Sequence, residues 1–111
     1  MKLSLMVILA FALCLPVTGF AEEELPLYKT TIKNHIFEPA IIKVKADQKF
    51  RLEVKNEDAG SEEFESSTLS IEKIMGPKKT LKLILGPLKK GSYPFMGEFH
   101  QSTAKGEVIA E

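Results

Sequence analysis

An alternation of apolar and polar residues recurs along this chain and constrains its fold more than any other feature. The clearest case is residues 50–55, where Phe50, Leu52 and Val54 alternate with charged residues. Because successive side chains of a strand point to opposite faces of a sheet, this pattern predicts a strand with one buried face. Similar segments begin near residues 28, 41, 81, 93 and 107, whereas residues 66–75 fit either an irregular strand or one helical turn. Turn-forming residues separate these segments, so the sequence predicts an all-β sandwich or barrel.

The first 21 residues have the layout of a secretory signal peptide. Lys2 precedes an apolar run over residues 5–17, and Ala21 is a small residue directly before an acidic triplet. The apolar run is too short to span a bilayer. We therefore expect cleavage after Ala21, a single domain over residues 22–111 and export from the cytoplasm. The only cysteine, Cys14, lies within this leader, so the mature chain is expected to have no thiolate and no disulfide.

Charge and motif content exclude several classes of function. The chain has 15 Lys and Arg residues against 15 Asp and Glu residues. A nucleic-acid-binding protein needs a surplus of positive charge to displace counterions from phosphates. The sequence also contains no Gly-rich phosphate loop, no G-x-S-x-G elbow and no H-E-x-x-H motif. It therefore has no recognised catalytic motif, and whether the protein is an enzyme stays open.

Several short motifs follow one another in a definite order. A Phe-x-Pro motif occupies residues 37–39, and a later strand ends at Asn56. A polar-aromatic strand follows at residues 62–65, then a Gly-x-Tyr motif at 91–93 and a Lys-Gly pair at 105–106. This order resembles that of the cupredoxin-like family. The resemblance implies a cupredoxin-like Greek-key β-sandwich of about seven strands.

Three longer stretches carry a closer resemblance. They are EEFES at residues 62–66, LGPL at 85–88 and GEFH at 97–100. They resemble the periplasmic cupredoxin-domain proteins of bacterial ferrous-iron uptake systems. The resemblance implies a metal-binding protein for iron or copper that assists ferrous-iron oxidation or delivery. It also implies an iron permease, or another periplasmic transport component, as the partner.

The chain departs from electron-transfer cupredoxins at the positions of their copper ligands. A blue-copper site needs two histidines, a thiolate and a weak axial ligand. By the resemblance, the first histidine position falls at Glu62 or Glu63, and the cysteine position falls near Gly97, with Met96 beside it. A histidine remains at His100. Without a thiolate no blue-copper centre can form, so we expect carboxylate and imidazole ligands.

Six residues are candidate metal ligands, and the four in residues 63–65 and 98–100 are expected at one end of the sandwich. They are Glu63, Glu65, Glu98, His100, His35 and, as a candidate soft ligand, Met96. Residues two apart on a strand share a face, so the two glutamates of residues 62–65 that flank Phe64 are expected to point the same way. In a cupredoxin-like topology the GEFH segment lies beside them, which predicts one shared site. Such oxygen and nitrogen donors suit iron, manganese or Cu(II).

Two alternatives to iron or copper binding for ferrous-iron uptake stay open. In the first, the glutamates are ordinary solvated residues and the domain is a metal-free interaction module of a periplasmic transport complex. In the second, the domain is a copper chaperone that uses its two histidines with Met75 and Met96.

Overall fold

The computed structural model describes residues 24–111, so the predicted leader lies outside the described residues. This part of the chain forms nine strands, two more than expected, and a short 3-10 helix, Glu98–His100. No helix within it is long and apolar enough to cross a membrane. The strands are β1 (Leu27–Lys33), β2 (Ile36–Glu38), β3 (Ile41–Val44), β4 (Phe50–Asn56), β5 (Glu62–Ser66), β6 (Ile71–Met75), β7 (Thr80–Leu85), β8 (Gly91–Gly97) and β9 (Lys105–Ala110).

The strands form two sheets packed against each other. The four-stranded sheet has the order β2-β1-β4-β7, and the five-stranded sheet has the order β3-β9-β8-β5-β6. The β1–β4 and β3–β9 pairs are parallel, whereas the other neighbouring strands are antiparallel. This arrangement confirms the predicted all-β sandwich.

Three phenylalanines join the two sheets across the core. Phe37 of β2 meets Phe64 of β5 and Phe95 of β8 edge to face, with ring centroids 6.0 and 5.0 Å apart. All three rings are at most 2% exposed. Burial of one such side chain stabilises a fold by roughly 1.5–3 kcal/mol. The Phe-x-Pro motif therefore contributes a core residue beside the turn that carries His35.

The alternation of apolar and polar residues predicts β4 correctly but does not decide whether the segment of β6 is a strand or a helical turn. Phe50, Leu52 and Val54 point into the core and are at most 1% exposed. In β6, only Ile71 and Met75 are buried, with three exposed residues between them. This edge strand shows no two-residue period because it is held by backbone pairing with β5 along its whole length. The ambiguous stretch thus resolves as a strand.

Candidate metal centre

His35 lies in a tight turn between β1 and β2. Lys33 pairs directly with Ile36, so Asn34 and His35 form a two-residue hairpin loop. Their φ angles are 52° and 60°, as in a type I′ turn. Glycine is the usual residue at the second position of this turn, and another residue there costs roughly 1 kcal/mol or more. The chain therefore keeps an imidazole where the backbone favours glycine.

Asp58, in the loop after β4, holds this turn in place. Its carboxylate accepts hydrogen bonds from the backbone N–H groups of Asn34, at 2.7 Å, and His35, at 3.1 Å. Burial acts to raise the pKa of Asp58, but these two N–H donors and the nearby charges of His35 and Lys78 lower it below its usual value. The ionised carboxylate thus helps to fix the position of His35.

His100 ends the 3-10 helix that follows β8, and its ring lies against that of His35. The two ring centroids are 3.4 Å apart, and the ring planes differ by 11°. The carbonyl of His100 accepts a hydrogen bond from the N–H of Ala104, at 2.8 Å, which closes the loop into β9. The structure therefore brings together the two histidines that the sequence analysis selected.

Glu62, at the start of β5, fixes the orientation of the His100 ring. Its side chain is buried, and its Oε1 accepts hydrogen bonds from the N–H groups of Glu63 and Phe99, at 3.0 and 2.8 Å. Its Oε2 lies 2.5 Å from Nδ1 of His100. When Nδ1–H donates to this carboxylate, the neutral ring keeps its lone pair at Nε2. Metal-binding histidines are commonly oriented by such a carboxylate.

Gly97 leaves the space that Glu62 occupies. A Cβ atom at residue 97 would lie 2.7 Å from Cδ of Glu62 and 2.7 Å from Cβ of Ala104. The backbone at Gly97 is extended, with φ of −90°, so the requirement is for space and not for an unusual backbone angle. No side chain fits at this position while Glu62 keeps its place.

Four glutamates form a separate group, the outer carboxylates, on the solvent side of the five-stranded sheet. They are Glu63 and Glu65 of β5, Glu72 of β6 and Glu98 of the 3-10 helix. The alternating burial of β5 confirms that the first two share a face opposite Phe64. Glu72 was not a sequence candidate, although it is the direct cross-strand partner of Glu65.

Crowding of like charges raises pKa values in this group. A hydrogen bond shared with Glu98, reinforced by repulsion from the neighbouring carboxylates, raises the pKa of Glu65 to about 7. A hydrogen bond shared with Glu72 likewise raises the pKa of Glu63 above its usual value. Glu65 therefore keeps its proton to a higher pH than an ordinary glutamate does.

The predicted ligands divide between these two places. His100 bonds to Glu62, on the inner side of β5, and not to the outward-facing Glu63. Met96 pairs with Glu65 and so lies on the outer side, half-buried, whereas Met75 pairs with Glu62 on the inner side. Within residues 24–111, no group of three or more His, Cys, Asp or Glu side chains is placed to hold a metal ion. The ligand set therefore stays a prediction.

Comparison with known proteins decides the family. The family model described as "Cupredoxin-like domain" matches residues 4–110. The chain belongs to the cupredoxin-like domain family. A link between this cupredoxin-like domain and the iron-uptake proteins stays a prediction.

Solved structures share the fold of this cupredoxin-like domain at low sequence identity. The Cu(I)-bound metal-binding domain of a Cu(I)-exporting P-type ATPase from Streptococcus pneumoniae D39 is similar, with a TM-score of 0.68 and 13% identity. That match covers 77% of this chain and 84% of the ATPase domain. Auracyanin A, a "blue" copper protein from Chloroflexus aurantiacus, has a TM-score of 0.64 and 11% identity, with coverage of 77% and 98%.

A relative of higher identity is an uncharacterized protein of Rickettsia prowazekii (strain Madrid E). It is 48% identical over 81 residues, which span 73% of this chain. The match covers 65% of the rickettsial protein. This relative supports the family assignment and adds no functional residue.

The side chains of this cupredoxin-like domain do not fit a blue-copper centre but do suit copper held by nitrogen. No cysteine lies within residues 24–111, and Glu62 fills the space beside Gly97, where the resemblance places the cysteine. Imidazole is a good ligand for copper, zinc, iron and nickel. Because imidazole lone pairs lie in the ring plane, the parallel rings of His35 and His100 must turn before both can bind one ion. The side chains therefore supply two imidazole donors whose rings are stacked.

Proposed function

We propose that this cupredoxin-like domain binds a copper ion in the periplasm through the imidazoles of His35 and His100. The observation that carries the proposal is the ring pair, with centroids 3.4 Å apart, in which one ring is already oriented by a buried carboxylate. Copper forms the most stable complexes among divalent first-row metals with such donors. The copper proteins that share the fold support the same choice of metal.

Three other residues position the two histidines that would hold the ion. Glu62 fixes the His100 ring, and Asp58 holds the backbone of the turn that carries His35. Gly97 gives Glu62 its space. When bound, copper supplies one-electron exchange between Cu(II) and Cu(I), and with no thiolate ligand it lacks the intense blue colour of cupredoxin electron carriers.

We further propose that the domain serves ferrous-iron uptake beside an iron permease, with Fe²⁺ as the substrate. The sequence resemblance to iron-uptake proteins and the outer carboxylates support this role. A cation at Glu63, Glu65 and Glu98 would offset the repulsion that helps to raise the pKa values of Glu63 and Glu65. Carboxylate oxygens also suit a hard ion. Glu98 and His100 share one 3-10 helix, so the outer carboxylates lie close along the chain to a proposed copper ligand.

Copper titration of matched variants tests the proposed site. Glu62→Gln replaces one carboxylate oxygen by an NH₂ group, which cannot accept a hydrogen bond. Loss of a partner that orients a ligand histidine typically lowers metal affinity by about 10–100-fold. We expect that loss for Glu62→Gln and a greater one for His100→Ala. Glu63→Gln, one residue along and on the opposite face, is the control and should retain the parent affinity. Unchanged binding in His100→Ala would overturn the proposal, and no binding in the parent would favour a metal-free interaction module.

Iron transport tests the proposed pathway separately. In cells that lack this protein, uptake of ferrous iron should fall, and the parent protein should restore it whereas His100→Ala should not. Uptake that does not depend on the protein would contradict the pathway without bearing on copper binding.

The copper-chaperone alternative is not favoured by the placement of the methionines. Met75 is in the core, 2% exposed, on the inner side of the five-stranded sheet. Met96 lies on the outer side. Because a sheet separates their side chains, the two sulfur atoms do not share one ion.

A further inference from the structure

A cavity near the His35 turn plays no part in the proposed copper site. It has a volume of about 290 Å³ and is lined by Lys33, Lys55, Glu57 and Lys78. The lining therefore contains three lysines and one glutamate. We propose that this cavity binds a small anion with two or more oxyanion groups, such as a polycarboxylate or a phosphate compound.

Strand register places two of the lysines as diagonal neighbours on one face of the sheet. Thr31 pairs with Lys55 in the parallel β1–β4 ladder, and the N–H of Glu57 extends this ladder by donating to the carbonyl of Ile32, at 2.8 Å. Lys33, two residues after Thr31, therefore lies on the same outer face as Lys55. Long side chains of like charge that are diagonal neighbours on one face come within reach of each other and repel. A bound anion would remove this repulsion.

The third lysine is held in a conformation that favours glycine. The N–H of Lys79 donates to the carbonyl of Gly76, at 3.1 Å, which closes a four-residue turn with Pro77 in second place. Lys78, in third place, has a φ of 61°. This is a type II turn, in which glycine is usual at that place. Backbone strain of this kind is common at ligand clamps.

The Lys78 ammonium group reaches back from this strained turn to the cavity. It donates a hydrogen bond to the backbone carbonyl of Glu57, another lining residue. An ammonium group has three N–H donors, so the others are available to a ligand. The turn therefore holds a cationic group at the cavity, as His35 is held beside the metal site.

Charge and size indicate the class of ligand. The three lysines and Glu57 leave two excess positive charges in the lining, which match a doubly charged anion better than chloride. Lysine is a common ligand of phosphate and carboxylate groups. The cavity lies at the lower limit of typical small-molecule sites, which are about 300–1,000 Å³. The ligand is therefore small.

Titration of the metal-free protein with citrate and with inorganic phosphate, followed by ¹H–¹⁵N NMR at low ionic strength, tests the inference. We expect saturable binding of at least one of the two, with shifts centred on the amides of Lys33, Lys55 and Lys78. Comparison of the two titrations distinguishes a polycarboxylate from a phosphate ligand. Because no metal is present, the result does not depend on the copper proposal.

A pair of lysine variants separates a site from general attraction. Lys78→Gly removes the ammonium group, so affinity for the anion should fall about tenfold, as expected for loss of a hydrogen bond to a charged group. Because glycine suits this turn position, the stability of the fold should not fall. Lys82→Gln, on the same sheet face but away from the cavity lining, should bind as the parent does. Equal weakening in both variants, or shifts that do not saturate with either anion, would overturn the proposal.

Discussion

His35 and Gly97 show how individual residues set the properties of this site. At residue 35, the backbone favours glycine, yet the chain has an imidazole that stacks on His100. At residue 97, the neighbouring carboxylate of Glu62 leaves no room for a side chain. A substitution at residue 35 therefore separates metal binding from folding, whereas a substitution at residue 97 tests the packing around Glu62.

Replacement of His35 by glycine should weaken copper binding but preserve the fold. Glycine adopts positive φ without the roughly 1 kcal/mol cost of other residues, and this gain offsets the lost ring stacking. We expect a free energy of unfolding within about 1 kcal/mol of the parent value, measured by urea denaturation. Affinity for Cu(II) should fall at least about tenfold. A variant that binds copper as tightly as the parent would show that His35 is not a ligand.

Gly97→Ala should destabilise the protein. The new methyl group would overlap Glu62 and Ala104, and such overpacking typically costs about 1–3 kcal/mol. Gly60→Ala is the matched control, because a Cβ atom there meets nothing within 4 Å. Its stability should stay within about 0.5 kcal/mol of the parent. Equal stability of the two variants, measured by urea denaturation, would contradict the account of Gly97.

At the scale of elements, β5 shows why the sequence located the site but missed its buried carboxylate. Residues 62–65 contain three glutamates and Phe64, and which glutamate faces the core depends on which alternate residues of the strand point inward. A shift of one residue exchanges the two faces of a strand. The signal was available, since Phe64 must face the core and Glu62 shares its face. Asp58 and Glu72 carried no such signal, because their roles depend on turns and on an edge strand that the pattern left undecided.

The outer carboxylates of β5, β6 and the 3-10 helix should make stability depend on pH. The pKa of Glu65 rises from 4.5 to about 7 on folding, so between these values the folded protein keeps a proton that the unfolded chain has lost. This contribution is complete below about pH 4.5 and is lost as pH rises through about 7. In metal-free protein, the thermal unfolding midpoint should therefore fall from pH 5 to pH 8.

Two glutamate variants test this pH dependence. Glu65→Gln removes the titrating group and should make the midpoint depend less on pH. Glu38→Gln, at an exposed residue of β2, should leave the dependence unchanged. A parent midpoint that rises from pH 5 to pH 8 would contradict the raised pKa.

At the scale of the whole molecule, the sequence predicted the fold more fully than the site. Alternation and turn residues are local signals, and they sufficed for strands such as β4 and for the sandwich class. The site joins a turn after β1, the start of β5 and the helix after β8, and no local pattern describes their contacts. His35 and His100 were found by residue type and resemblance, but their stacking follows only from the folded chain.

The most direct test of the account is the number of histidine ligands on bound copper. Pulsed electron paramagnetic resonance of the purified protein with one equivalent of Cu(II) detects the remote nitrogens of coordinated imidazoles. The account predicts two imidazoles in the parent, one in His35→Gly, and no intense blue absorption in either. A parent spectrum with no coordinated imidazole, or one that His35→Gly leaves unchanged, would contradict the copper site described here.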